Sequence, residues 1–377
     1  MKYFPILLAG VVFLLCLCTI PAWWCGRHAQ PWFQGDQMIQ KQLADAIVQQ
    51  TNRELALSDF PTGEKLFAGE WMFGTYMMNG IGLCQMCIQH PEEISTYSPV
   101  IEQCIRQLLS DRVREFDTRS WHNNALTSLE NGRGHAAYLG YFNVLLGLYR
   151  QIKPANEFSL LNDQITAALI ERTTHSPNSL IETYPNEWYA VDNCPVIASI
   201  AIHGRVTNKD YSALLQKIED NFTKTCVDPK TGLLIQSINA DGTERVCARG
   251  SGSSLGIFFL HYAYPELGRN IYSAIKKELA TNVIGFGLIR EYPRGSKIRG
   301  DIDSGPILFG FGFSATGFSI SGARIYGDYT LFSRLYACAY LSGAPINTQK
   351  GIEFVTAGPL GNAILFAMLT APKEEKP

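Results

Sequence analysis

Apolar residues return at helical spacing in twelve separate stretches of this chain, and that count limits the possible folds more than any other feature. The stretches are 38–48, 71–88, 100–109, 136–149, 160–170, 195–202, 211–222, 254–264, 271–279, 312–326, 331–341 and 360–369. In each, one face repeats every three to four residues, the signature of a helix with one buried side. Period-2 strand patterns are scarce between them. Twelve helices make six hairpins, and the simplest single-domain closure for six hairpins is an all-α ring, the (α/α)6 toroid. A hydrophobic content of 46% with 18% charged residues gives such a ring a packed core and rules out disorder for most of the chain.

A different segment comes first. Lys2 is followed by an apolar run, 5–20, with no charge before Arg27. This reads as an export signal or a membrane anchor. No small-x-small cleavage site follows, and Trp23 and Trp24 suit the water interface of an uncleaved span. The expected organisation is therefore an N-terminal hydrophobic anchor or signal over 1–29, the toroid over 30–372, and a polar tail over 373–377. The body of the protein would face outside the cytoplasm, or be exported if the signal is cut. The run 359–369 is too short to span a bilayer and reads as a last core helix. A net charge of -2 without a Lys/Arg cluster leaves a nucleic acid no electrostatic footprint.

Ten cysteines in an exported chain raise the question of disulfides. Cys16, Cys18 and Cys25 belong to the N-terminal segment or its edge, and seven is an odd remainder. Cys84 and Cys87, on an apolar helix face, read as buried thiols before a redox or zinc pair. Cys226 and Cys247 flank a turn-rich insert and are the natural partners if a disulfide exists. His122, His135 and His203 have no metal-binding spacing, so no metal is expected.

Four connectors, 119–135, 177–193, 228–253 and 285–312, are long and rich in glycine, aromatic and charged residues. In a toroid every second connector opens on the same face, so these four are expected to meet around one mouth, and long loops on a rigid scaffold are where chemistry usually sits. The densest stretch is Tyr184 to Cys194. Asp192, at a half-buried helix entrance, can serve as general acid or base, or cap the helix that Pro195 begins; both readings stand. Glu187 is a second carboxylate or a surface charge. Trp188 and Tyr189, with Trp121 from another loop, are stacking walls for a substrate or core aromatics. Asp301 and Asp303 point the same way in an extended segment, which suits an opposing acid/base pair or an Asx turn. Arg249 precedes the glycine- and serine-rich run 250–256 and either faces the pocket or belongs to a capping turn; Ser251 there lacks the context of a nucleophile. Tyr141, on the helix carrying Gly140 and Asn143, can exchange a proton in a dry pocket.

From His135 onwards the chain resembles the linalool dehydratase/isomerase family. The matching residues are Tyr138 to Asn143 with Gly147 to Tyr149, Pro185-Asn186 leading to Asn193 and Ser199, Asp228-Pro229 with Gly232, Arg290-Glu291, and Asp301 and Asp303 with Gly305. Weaker similarity around Gly82 and Pro91 extends it through the first half. The resemblance implies an (α/α)6 barrel and cofactor-free acid/base chemistry on an alcohol by a histidine and two cysteines. On ungapped reading the histidine position falls on Tyr141 and the cysteine positions on Thr183 and Asp192. It also implies ring-like assembly, hence a possible homo-oligomer.

Two enzymatic classes follow for a small-molecule substrate. One is a lyase or isomerase on an alcohol or polyol, with Asp192, Tyr141, Asp301, Asp303 and Glu187 moving protons. Thr183, Trp188, Tyr189, Asn193, Arg249, Glu291 and Trp121 would then form its substrate walls. The alternative is a carbohydrate-active hydrolase or epimerase with paired carboxylates across the cleft. A non-catalytic envelope protein that binds a ligand in the same cup is the third reading.

Overall fold

The structure, a computed structural model, describes residues 3–374 except 297, 299, 302, 303 and 350; for 5–7, 11, 12 and 14–18 only the helical backbone is described. Six helices form the inner ring: α4 (Lys65–Gln89), α7 (Ala136–Ile152), α9 (Ala190–Thr207), α11 (Gly250–Leu260), α13 (Phe313–Ile325) and α15 (Gly358–Leu369). Each packs on the next, and α15 returns to α4 to close the circle. The outer layer is α3 (Gln37–Asn52), α5 (Ile94–Leu109), α8 (Ser159–His175), α10 (Ser212–Cys226), α12 (Pro265–Glu278) and α14 (Tyr329–Gly343). All twelve periodic stretches of the sequence fall on these twelve helices.

Composition decides which layer a helix joins. On α7 every residue from Tyr138 to Tyr149 is buried, and a helix that is apolar all round has no solvent face to keep. On α10 only Ile218, Phe222 and Cys226 are buried, one stripe of an amphipathic surface helix. Two outer helices, α3 and α14, start on side-chain caps: Asp36 accepts from the Ile39 amide at 3.1 Å and Asp328 from the Leu331 amide at 3.0 Å, which satisfies donors the first turn leaves open. Inner helices touch through glycine. A Cβ on Gly82 would lie 2.5 Å from Phe366, so only glycine lets α4 and α15 approach as they do.

The two kinds of connector differ in length. Those leaving an inner helix are short, such as 208–211 and 261–264, whereas those entering one are long, such as 176–189, 227–249 and 279–312. The long ones therefore gather where the inner helices begin. They also carry small antiparallel sheets that the sequence pattern did not show. In one, β1 (Trp188–Tyr189) pairs with β2 (Ser237–Ile238), which pairs with β3 (Glu244–Val246). This ties the connector entering α9 to the one entering α11, with the Ala190 amide on the Gln236 carbonyl at 3.3 Å.

The expected membrane anchor is corrected. The first helix, α1 (Phe4–Gly26), packs along α14 with Ala22 and Cys25 buried, so its last turns belong to the folded body. Among the described residues no helix is long and apolar enough to cross a membrane; the side chains at the centre of the apolar run lie outside them. The short α2 (Ala29–Gln34) follows, and α6 (Asp111–Trp121) is inserted after α5. Cys226 and Cys247 are free thiols, as are the buried Cys84 and Cys87; burial pushes the Cys87 thiol up to about 12.

Candidate active site in the mouth of the ring

A cavity of about 630 Å³ opens at the end of the ring where the inner helices begin, a volume in the range of small-ligand sites. Its walls come from the first turns of α4, α7, α9, α11, α13 and α15 and from three of the four long connectors. No residue of the fourth, 119–135, lines it. That loop, mostly exposed or half-buried, is tied down away from the cup instead. His135 Nδ1 lies 2.7 Å from Asp117 Oδ2, the Trp121 ring rests on His135 at 4.7 Å, and buried Arg172 donates to the carbonyls of Gly134 and Ser128.

The two sides of the cup differ. On one, α4, α13 and α15 contribute Phe67, Trp71, Met77, Met78, Phe318 and Leu360. On the other, α7, α9, α11 and the loops entering α9, α11 and α13 contribute Tyr141, Asp192, Gln236, Arg249, Ser251 and Asp301. Between them stand Glu70 on α4 and Glu187 on the loop before α9.

Asp192 lies in the first turn of α9, where the helix dipole favours a negative charge. The N-cap residue of α9 is Tyr189 and not Asp192 or Asn193, and Asp192 lines the cup. The Tyr141 hydroxyl, reaching across from α7, donates to Asp192 Oδ1 at 2.8 Å; Phe259 holds the Tyr141 ring edge-on at 5.2 Å. Next to Asp192, Asn193 is spent on structure: its amide accepts from the Ile181 amide and donates to the carbonyls of Ile181 and Tyr189, at 2.8, 3.0 and 2.9 Å. It fastens the 181–189 loop to α9.

That loop turns on itself. The Thr183 amide donates to the Glu187 carbonyl at 2.8 Å, the Tyr189 amide to Thr183 Oγ1 at 3.3 Å, and Trp121 Nε1 to the Thr183 carbonyl at 3.3 Å. As a result Thr183, Tyr184, Glu187 and Tyr189 reach the cup wall, while Trp188 packs behind it against the core and Trp121 stays beneath the loop. Glu187 is partly neutralised by Arg245, 3.5 Å away. Tyr184 donates to Glu70 across the mouth.

The third group surrounds the start of α11. Arg249, 1% exposed, places Nη1 at 2.8 and 2.7 Å from the two oxygens of Asp301, so the loop entering α13 is drawn over the cup by an ion pair. Behind it Glu291 is fully buried. Its Oε1 accepts the Ser251 hydroxyl and lies 3.4 Å from the Ser251 amide and 3.8 Å from Arg249 Nε. Burial raises the Glu291 carboxyl above the usual range, against the pull of Ser251 and Arg249. Asp303 lies outside the described residues.

Sequence reasoning thus passed over Glu70, Tyr184, Gln236 and Ser251 as site residues. Glu70 sits one position before the apolar stretch that marked α4, an acid in the opening turns of a helix otherwise buried, and that misfit was the available signal. Gln236 carried none, because its place depends on the β1–β2 pairing.

No protein-family model and no curated protein matches the chain. Solved structures do. The α-1,6-mannanase of glycoside hydrolase family 76 from Salegentibacter sp. HEL1_6 aligns over 87% of this chain and 98% of its own, with 15% identity and a TM-score of 0.51. A variant of that enzyme inactivated at two adjacent aspartates, in complex with alpha-1,6-mannotetrose, aligns over 88% and 98% with 15% identity and a TM-score of 0.52. At that identity the likeness shows a shared helical-toroid fold. It corrects the resemblance to linalool dehydratase/isomerase, and with it the lyase and isomerase expectation: the neighbours are glycoside hydrolases, and the histidine and cysteines that the resemblance implied are Tyr141, Thr183 and Asp192 here. Of the residues behind the resemblance, Gly140 and Gly147 pack α7 against Val196 and Ile202 of α9.

Proposed function

We propose that the chain is a carbohydrate-active enzyme, a glycoside hydrolase that takes an oligosaccharide into the mouth of the ring and cleaves it with Asp192. The observation that carries this reading is the Tyr141–Asp192 pair on the wall of an open cup that also holds Glu70, Glu187 and Asp301. Glycoside hydrolysis needs one carboxyl group to protonate the departing oxygen and one carboxylate to attack, or to activate water, at the anomeric carbon. Asp192 takes the second role, with the Tyr141 hydroxyl fixing the orientation of its carboxylate. Trp71, Tyr184 and Tyr189 offer ring faces for sugar stacking, and Arg249 and Asp301 meet hydroxyls.

The α-1,6-mannanase fold supports the reaction class more than the linkage. That enzyme's inactivated variant lost two adjacent aspartates, whereas no two aspartates are adjacent in this chain, so its carboxylates act from separate elements. The Lys2-led apolar N-terminus supports action outside the cytoplasm.

The test is release of reducing ends from a panel of oligosaccharides, beginning with α-1,6-linked manno-oligosaccharides, by the wild type and by D192N. Hydrolysis of at least one glycan, falling about a thousandfold or more in D192N, is the expected result. Binding without turnover would replace it with the ligand-binding reading.

A further inference from the structure

From the packing around α11 we infer that Glu291, acting through the Ser251 hydroxyl, delivers the proton to the departing sugar oxygen: the acid of the reaction sits behind the cup wall and its base, Asp192, on it. The inference rests on the hydrolase reading.

The carboxylates on the wall are already engaged with donors or cations. Asp301 is paired with Arg249 through both oxygens; Glu187 has Arg245 beside it; Glu70 accepts the Tyr184 hydroxyl and Asp192 that of Tyr141. Each already accepts a hydrogen bond or pairs with a cation on the wall. Glu291 is placed differently. It is closed off from solvent, and Ser251, which does line the cup, donates its hydroxyl to Oε1. The other oxygen, Oε2, has no hydrogen-bond partner among the described residues. A bare oxygen on a buried carboxylate is costly, and much less so on a neutral carboxyl group. The pocket is shaped for it: a Cβ on Gly312 would come 2.5 Å from Oε2, and the Gly250 amide donates to the Glu291 carbonyl at 2.7 Å. The groups facing the carboxyl are Arg249 and Asp301, with Tyr292 next in the chain. Burial is the largest influence on its proton affinity and raises it, in the direction a general acid requires.

In the step itself, protonated Glu291 donates from Oε1 to Ser251 Oγ, the reverse of the direction with the carboxylate, and the serine hydroxyl turns to the glycosidic oxygen; the Glu291 proton passes to Oγ as Ser251 gives its own to that oxygen. The C–O bond breaks with its electron pair going to that oxygen, which leaves as an alcohol. Water adds to the anomeric carbon, and its surplus proton goes to Asp192 and returns through solvent to Glu291. Ser251 is a relay and forms no covalent intermediate.

E291Q tests this, because glutamine keeps the Ser251 contact and the fastening of α11 but carries no acidic proton. Two substrates are compared: the glycan found by the screen and a 2,4-dinitrophenyl glycoside of the same sugar, whose leaving group departs without a proton. The expected result is a loss of about a hundredfold or more on the glycan with activity within about threefold of wild type on the dinitrophenyl glycoside, together with loss of the alkaline limb of the kcat/KM profile. S251A should give the same leaving-group pattern. Equal losses on both substrates, or an unchanged pH profile, would make Glu291 a structural anchor and overturn the inference while the hydrolase reading stands. If the wild type cleaves no glycoside at all, that reading falls and the inference with it.

Discussion

Asn193 and Asp192 are neighbours in the chain and have opposite employment. Three backbone contacts occupy the Asn193 amide, so Asn193→Ala should lower stability by about 2–4 kcal/mol, the loss of several buried hydrogen bonds, as read from urea unfolding. D192N should leave the unfolding midpoint nearly unchanged while removing turnover. Tyr141→Phe deletes one donor to Asp192 and should lower kcat about tenfold without loss of stability. Nothing in the sequence separates Asn193 from Asp192 as site residues, because the distinction lies in which way a helical turn faces. Glu291 gives a pH prediction of definite sign. Its carboxyl is raised in the folded protein by burial, so the folded state holds the proton to higher pH than the unfolded chain does. The associated stability is full below the ordinary glutamate range and is lost as pH rises through the raised value. E291Q, uncharged throughout, lacks that loss. The melting temperature of the wild type should therefore fall relative to that of E291Q as pH rises above the ordinary glutamate range; parallel curves would contradict the assignment.

Individual helices were legible because their burial is written in residue spacing: fully apolar α7 and α15 went inside and striped α10 and α12 outside. The illegible elements share a physical reason. α6 buries only Val113, Phe116 and Asp117 and is otherwise charged or polar apart from Trp121, which leaves little periodicity. Strands β1 and β2 have two residues each, too few for alternation to register, and exist through pairing partners some fifty residues apart in sequence. Contact between inner helices is the property most sensitive to one atom. A Cβ on Gly140 of α7 would come 2.8 Å from Val196 Cγ2 and 3.0 Å from the Val196 backbone nitrogen on α9. Gly140→Ala should cost about 1–3 kcal/mol by overpacking, seen as a lower midpoint in denaturant.

For the molecule as a whole, stability and site depend on the same closure. α15 completes the ring against α4 through Phe366, which is fully buried and lies over Gly82; Phe366→Ala should cost about 3–5 kcal/mol. The ring and the position of its mouth could be read from helix count and connector length. The chemistry could not, since a toroid fixes where a cup forms and leaves open what its walls do. The linalool dehydratase/isomerase resemblance failed at that point, with Tyr141 and Asp192 forming a hydrogen-bonded pair in place of the implied histidine and cysteine. The most direct test of the central claim is reducing-end release from the glycan panel by wild type and D192N in parallel. Cleavage by the wild type, about a thousandfold weaker in a D192N protein of equal stability, is what the account predicts; equal turnover by the two proteins, or cleavage of no glycan by either, would contradict it.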